Sequence, residues 1–466
     1  MLFSSISFLY YFLPAVLAVY FVVPSRLKNA VLLVASLLFY TWGEPRFSVI
    51  MVTTALAGYL AGLAINQLKQ DSLRRLALAA SVIICLLPLF LFKYGDFAIN
   101  NLNQLFPAAL TPLKLALPIG VSFYTFQILS YVVDVYREDL EAERNPLYFL
   151  MYVAFFPQLI AGPIVRFQTI SSEIRNRKVT AELFASGITR FICGLGKKIL
   201  IANTLAEFAR NLSTGESSSV LSLWMGSLAF TLQIYFDFSG YSDMAIGLGS
   251  MFGFHFLENF DYPYLSRSIT DFWRRWHMSL GSWFRDYVYI PLGGSRGSVA
   301  KTYRNLLIVW MLTGLWHGAS WNFVLWGLFY FCLLALERAG LGKLLKRLPA
   351  VLAVLYTFLL VHLGFVLFNA DSLGQALMNL KGMFGLSGLP LAGPMAVYYS
   401  KSYLPAMLMA LAAATPFPRR ALKSLAKWKA APISDGIAVA GLALVLVFST
   451  ASLIDGSFNP FLYFRF

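Results

Sequence analysis

Charge is scarce in this chain of 466 residues: Asp, Glu, Lys and Arg supply 13% of it, against roughly 25% in an ordinary soluble domain. Cysteine is scarcer still. Cys85, Cys193 and Cys332 lie in apolar surroundings with no CxxC pair, so neither a disulfide framework nor a zinc site is suggested. Only four histidines are present, His255, His277, His317 and His362, which argues against a histidine-rich metal site. There is no G-x-x-x-x-G-K-[ST] phosphate loop and no H-E-x-x-H. In GLGSMFG, Phe252 stands where a G-x-G-x-x-G motif needs its third glycine. These absences count against an ATP-driven pump and a zinc protease. The chain also lacks internal repeats, low-complexity tracts and any stretch polar enough to form a soluble domain.

What fills the sequence is apolar. Hydrophobic residues make up 58% of it and mean hydropathy is +0.67, the composition of a polytopic membrane protein. Apolar segments recur at 8–23, 30–42, 49–65, 76–92, 117–135, 219–235, 306–334, 351–368, 403–414 and 437–453, giving an expectation of ten to twelve spans in one membrane domain. The first is read as a span and not a signal peptide, because no Lys or Arg precedes it and no small-residue cleavage pattern follows.

Net charge is +15. In a soluble protein that would point to nucleic acid. Here the positive residues gather in short loops, Arg26 and Lys28 after the first segment and Lys69, Arg74 and Arg75 after the third, as cytoplasmic loops require. That alternation puts the N-terminus outside and the cluster Arg419, Arg420, Lys423, Lys427 and Lys429 in the cytoplasm, with the tail SFNPFLYFRF outside. No nucleic-acid partner is expected.

Three stretches carry groups capable of chemistry. DFWRRWHMSLGSWFRDYVYIPLGG (271–294) is too charged to span. Read as one helix, it puts Trp273, Trp276, His277, Leu280, Phe284 and Tyr287 on one face and Asp271, Arg274, Ser282 and Arg285 opposite, with Pro291, Gly293 and Gly294 ending it. Such a helix lies at the interface. His277 is then on the buried side, either a working group or part of an aromatic anchor. LTGLWHGASWNF (312–323), if it belongs to one helix over 306–334, aligns Thr313, Gly314, His317 and Trp321 on a small, polar, aromatic face. An ionisable ring at membrane depth is costly unless it faces protein or water, which makes His317 a candidate functional residue. TLQIYFDFSGYSDMAIGLG (231–249) spaces Gln233, Asp237 and Tyr241 at i, i+4, i+8 and offers no basic partner to Asp237 or Asp243. Either carboxylate orients a histidine, lines a polar path or joins a structural network between helices. In the middle third, FFPQLIAGPIVRFQ (155–168) breaks its apolar run with Gly and Pro. Irregular backbone at membrane depth needs cover from protein or a water-filled cavity, so the middle third reads as a cavity lining.

Together FWRRWHMSLGSWFRDYVYIPLGG, YFDFSGYSDMAIGLG, PIGVSFYTFQILSYVVDVYR and LTGLWHGASWNF resemble the membrane-bound O-acyltransferase (MBOAT) family. The likeness is nearest to its bacterial branch for alginate O-acetylation, to which MLFSSISFLYYFLPAVLAVYF, LLFYTWGEPRF and the closing FLYFRF are also similar. The resemblance implies an all-α membrane fold, with tilted helices around a funnel and a motif-rich catalytic core at about 118–337. It implies acyl transfer from a cytoplasmic donor, acetyl-CoA, to an exported polysaccharide at the bacterial inner membrane, with a periplasmic acetyltransferase as partner and no tightly bound cofactor. His317 matches the family's characteristic histidine and His277 its second. An imidazole near pKa 6.5 suits a general base at neutral pH, so His317 is expected to take the hydroxyl proton, with His277 or Asp237 orienting it or supporting the tetrahedral intermediate. Trp316, Trp321, Thr313 and Asn322 are candidates for lining the substrate path. Arg274, Arg275 and Arg285 are candidates for the donor phosphates. Other glycans, D-alanyl transfer to teichoic acid, and a non-catalytic transporter or scaffold remain open from sequence.

Overall fold

The computed structural model describes residues 1–106, 110–160, 162–213, 218–418, 420–421 and 431–456. Among them there is no strand, only an isolated antiparallel bridge between Phe260 and Trp276. The protein is all-α. Among the described residues, five helical stretches are long and apolar enough to cross a membrane: Phe47–Gln67, Asp71–Leu105, Trp321–Leu345, Ala350–Asn369 and Asp435–Ile454. Phe8–Val22 and Leu404–Ala413 are shorter apolar helices. The tail SFNPFLYFRF and most of the basic cluster at 419–429 lie outside the described residues.

The chain folds as two compact units, 1–188 with 244–257, and 189–243 with 258–466. In the first, α1 (Leu13–Val22), α2 (Lys28–Gly43), α3 (Phe47–Gln67), α4 (Asp71–Leu89) and α5 (Gly95–Leu105) are followed by α6 (Val121–Tyr136), α7 (Pro146–Ala154), α8 (Phe156–Leu159) and α9 (Phe167–Asn176). Arg26 lies between α1 and α2 and Lys69 between α3 and α4, whereas Lys28 opens α2 and Arg74 and Arg75 fall near the start of α4, not in the loops expected for them. Phe8, Phe12, Phe39 and Phe156 pack ring against ring, with Phe12 and Phe156 edge to face at 5.4 Å. The broken segment around α8 is covered by protein: Phe155, Phe156, Gln158 and Leu159 are all buried. That cover lets irregular backbone exist there.

Helices α10 (Ala181–Gly196) and α12 (Val220–Met251) run through both units, with α11 (Asn203–Ser213) between them. The apolar run at 219–235 is only the first half of α12, whose 32 residues make a rod of about 48 Å at 1.5 Å per residue. In the second unit follow α13 (Ile269–Arg275), α14 (Met278–Phe284), α15 (Val299–His317), α16 (Trp321–Leu336), α17 (Gly342–Leu345), α18 (Ala350–Asn369), α19 (Leu373–Met383), α20 (Pro394–Ser402), α21 (Leu404–Ala413) and α22 (Ala431–Ile454).

Two helices expected from the sequence are each broken in two. The stretch 306–334 is not one helix: α15 stops at His317, Gly318 is extended at φ −168°, Ser320 is extended at φ −150°, and α16 begins at Trp321. The chain reverses there into a helical hairpin held by glycine. A Cβ on Gly314 would strike the Phe323 carbonyl oxygen, and one on Gly327 the Trp310 carbonyl oxygen. The small residues on this face therefore do what such residues do in membranes, letting two backbones touch. Gly327→Ala is expected to cost about 1–3 kcal/mol by overpacking, read as a lower melting temperature in detergent. An unchanged melt would show that the hairpin opens freely.

The stretch 271–294 is likewise not continuous. Trp276 leaves the helix to bridge Phe260, and His277 takes a left-handed conformation, φ 47° and ψ 52°, between α13 and α14. Tertiary pairing to 259–261 overrides the helical pattern at a point with neither Gly nor Pro to mark it. The two faces survive the break: Trp276, His277, Leu280 and Phe284 are buried, whereas Arg274 and Arg285 are exposed. The turn at Pro291, Gly293 and Gly294 does end the segment. Asn305 of α15 ties it down, donating from Nδ2 to the Leu292 and Gly294 carbonyls at 3.0 Å each.

Candidate active site

His317 is the last residue of α15, half-buried, with no further turn of helix beyond it. The carbonyl end of a helix favours positive charge on a group placed there. Three rings wall it: Trp316 at 4.9 Å, Trp326 of α16 at 5.0 Å and Phe368 of α18 at 5.3 Å between centroids, all near perpendicular. Trp326 in turn packs on Trp273 of α13 at 5.6 Å. The hairpin, α18 and α13 thus fix the position of one histidine ring.

Trp316 links the two histidines. Its ring lies 5.8 Å from that of His277 and 4.9 Å from that of His317. His277 is 1% exposed and meets Phe238 of α12 edge to face at 4.7 Å. Asn259 sets its tautomer. The Asn259 Oδ1 accepts from the Ser279 backbone N–H at 3.1 Å and lies 2.9 Å from the Ser279 hydroxyl. An atom that accepts from a backbone N–H is the amide oxygen. His277 Nδ1, 3.2 Å from the same oxygen, must then carry the proton it shares there. That leaves Nε2 as a bare acceptor, buried and without a hydrogen-bond partner among the described residues.

Burial pushes the His277 imidazole down to about 3, so this ring is neutral at working pH. An unfolded histidine titrates near 6.5. Between those values the unfolded chain binds a proton that the folded chain does not. His277 therefore contributes stability above pH 6.5 that is lost as pH falls, at no more than about 1.4 kcal/mol per unit. Acid melting of the solubilised protein between pH 6.5 and 4 is expected to be less steep in His277→Gln than in the wild type. Equal slopes would contradict the neutral, buried assignment.

Asp237 does have a basic partner, from outside its own segment: Lys198 Nζ lies 2.6 Å from Asp237 Oδ1, with the two side chains 2% and 3% exposed. Asp243 is gripped by Arg190 at 2.8 Å and Lys197 at 2.6 Å. Of the three candidate phosphate-binding arginines, Arg275 is bonded to Asp271 and Arg285 to Asp286, while Arg274 is exposed on the rim of a cavity. Thr313 bonds back to the Val309 carbonyl at 2.7 Å, Asn322 donates to the Ala370 carbonyl at 2.7 Å, and Trp321 is 57% exposed. Trp316 has its ring against both histidines. Sequence reasoning missed Trp326, Phe368 and Asn259. Trp326 had a signal, five residues beyond Trp321 in the same apolar run; the other two had none.

The family model for the membrane-bound O-acyltransferase family matches residues 137–342, a stretch containing every candidate residue expected from the sequence but not Phe368. A protein of Azotobacter vinelandii named "Probable alginate O-acetylase" is 40% identical over the whole of both chains. The chain belongs to the membrane-bound O-acyltransferase family. A Pseudomonas aeruginosa protein of the same name is 42% identical over 95% of this chain and 87% of its own. The "Peptidoglycan O-acetyltransferase" of Helicobacter pylori is 36% identical over 84% and 81%. This membrane-bound O-acyltransferase is a multi-pass membrane enzyme.

Proposed function

We propose that this enzyme moves an acetyl group from cytoplasmic acetyl-CoA across the bacterial inner membrane for O-acetylation of an exported polysaccharide, alginate being the first candidate. A periplasmic acetyltransferase would complete the transfer. On this reading the whole chain acts as one membrane domain of ten to twelve spans around a funnel, with His317 at the neck.

The observation that carries it is a half-buried histidine closing a helix, walled by three aromatic rings, with a second, neutral histidine behind one of them. His317 takes the proton of the acceptor hydroxyl as its oxygen attacks the thioester carbonyl. The tetrahedral intermediate collapses, the C–S bond breaks, and the imidazolium returns the proton to the leaving thiolate. The helix terminus favours that imidazolium by about 0.3–1 kcal/mol. The bare Nε2 of His277 suits it to accept a hydrogen bond from a hydroxyl or water. Names of the relatives support a glycan acceptor, and the Helicobacter relative keeps peptidoglycan as the second one.

Deleting the gene and measuring alkali-released acetate from each exported glycan tests the reading. Loss from one polymer, restored by the wild-type gene, is the expected result. Unchanged acetate in every glycan would refute it.

A further inference from the structure

A cavity of about 730 Å³ opens beside α13, lined by Arg267 and Arg274 together with Arg338, Lys343 and Lys346 from the segment after α16. Its two carboxylates are already engaged. Glu337 accepts from the Ile269 and Thr270 backbone N–H groups and from the Thr270 hydroxyl, capping α13 from outside. Asp271 accepts from Arg275 Nε and from the Arg267 backbone N–H. Among the described residues, no carboxylate forms an ion pair with any of the five cations. Five cations stand against Glu337 and an Asp271 already paired with Arg275, so the lining carries an excess of positive charge that a bound anion would balance. Leu306, Leu334, Leu345 and Leu348 form the apolar part of the wall, and the cavity lies at the charged end of the apolar stretch Trp321–Leu345.

We propose that this cavity is a binding site for a phosphate ester carrying an apolar or nucleoside moiety. Arg guanidinium forks suit paired phosphate oxygens and Lys ammoniums supply point charge. The leucine wall takes what the phosphate is attached to. Two sources share this chemistry: the headgroup of an anionic phospholipid, for which basic pockets between membrane helices are suited, and the phosphates of coenzyme A. The coenzyme A source rests on the acetyl-CoA reading above; the lipid source does not.

The test measures binding, with no transfer chemistry, to full-length protein in detergent. The probes are coenzyme A by equilibrium dialysis and dioleoyl phosphatidylglycerol by native mass spectrometry, with dioleoyl phosphatidylcholine as the uncharged-headgroup control. Arg338→Gln/Lys343→Gln/Lys346→Gln is expected to bind one of the two anionic probes about a hundredfold more weakly than the wild type. Arg338→Lys/Lys343→Arg/Lys346→Arg, which keeps the charge, is expected to restore binding and so separates lost charge from lost fold. Charge-dependent binding of coenzyme A assigns the nucleotide source, and of phosphatidylglycerol the lipid source. Failure of the wild type to bind either probe at millimolar concentration, or equal binding by the neutral variant, overturns the proposal. His317→Ala should bind as the wild type does, so loss of this site and loss of acetyl transfer are read separately.

Discussion

Replacing His317 with alanine is expected to lower acyl transfer by about 10²–10⁴-fold, the usual contribution of a positioned general base, with the protein still present in the membrane at wild-type level. The side chain closes α15 and is half-buried, so its loss removes three ring contacts but leaves the Gly314–Gly327 crossing of the hairpin intact. Trp326, Phe368 and Trp316 would still wall the gap. Activity and abundance therefore separate in this variant. Acetyl ester content of the exported glycan, set against immunoblotted protein, checks it. Full acetylation at equal abundance would take the chemistry away from His317.

Lys198→Met is expected to destabilise the protein by about 3–5 kcal/mol, because it strands a buried carboxylate. The Lys198 ammonium lies 2.6 Å from Asp237 and 3.0 Å from Asn203 Oδ1, and both members of the ion pair are all but sealed from solvent. Removing the cation takes the ammonium from beside Asp237 in a place sealed from solvent, where an uncompensated charge is costly. Replacing both residues, Lys198→Met with Asp237→Leu, is expected to recover most of that loss, since apolar residues of similar volume often match a buried pair. Melting temperatures of the two variants in one detergent decide the point. If the double variant is as stable as the wild type yet inactive, Asp237 does more than balance charge; if it is stable and active, the pair is structural.

The parts of this fold legible in the sequence are those fixed by local pattern. Residues 49–65 and 351–368 are apolar over a membrane thickness, and the helices Phe47–Gln67 and Ala350–Asn369 enclose them. The buried side of His277 followed from spacing alone, because the inward residues at 276, 277, 280 and 284 stay on one face even after the helix breaks. What was not legible depends on residues far apart in the chain. Nothing near position 277 announces a left-handed residue; the cause is Asn259, eighteen residues earlier, whose side-chain oxygen collects three donors. The partner of Asp237 sits on a different helix at Lys198. The break after His317 left a faint trace in Gly318 and Ser320, but apolar residues on both sides masked it.

The most direct measurement is thiol release from acetyl-CoA by purified protein, wild type and His317→Ala, with and without a glycan acceptor. The account predicts release by the wild type that the acceptor stimulates, and none above background in a His317→Ala protein that melts normally. Equal, acceptor-stimulated release by both proteins would contradict it.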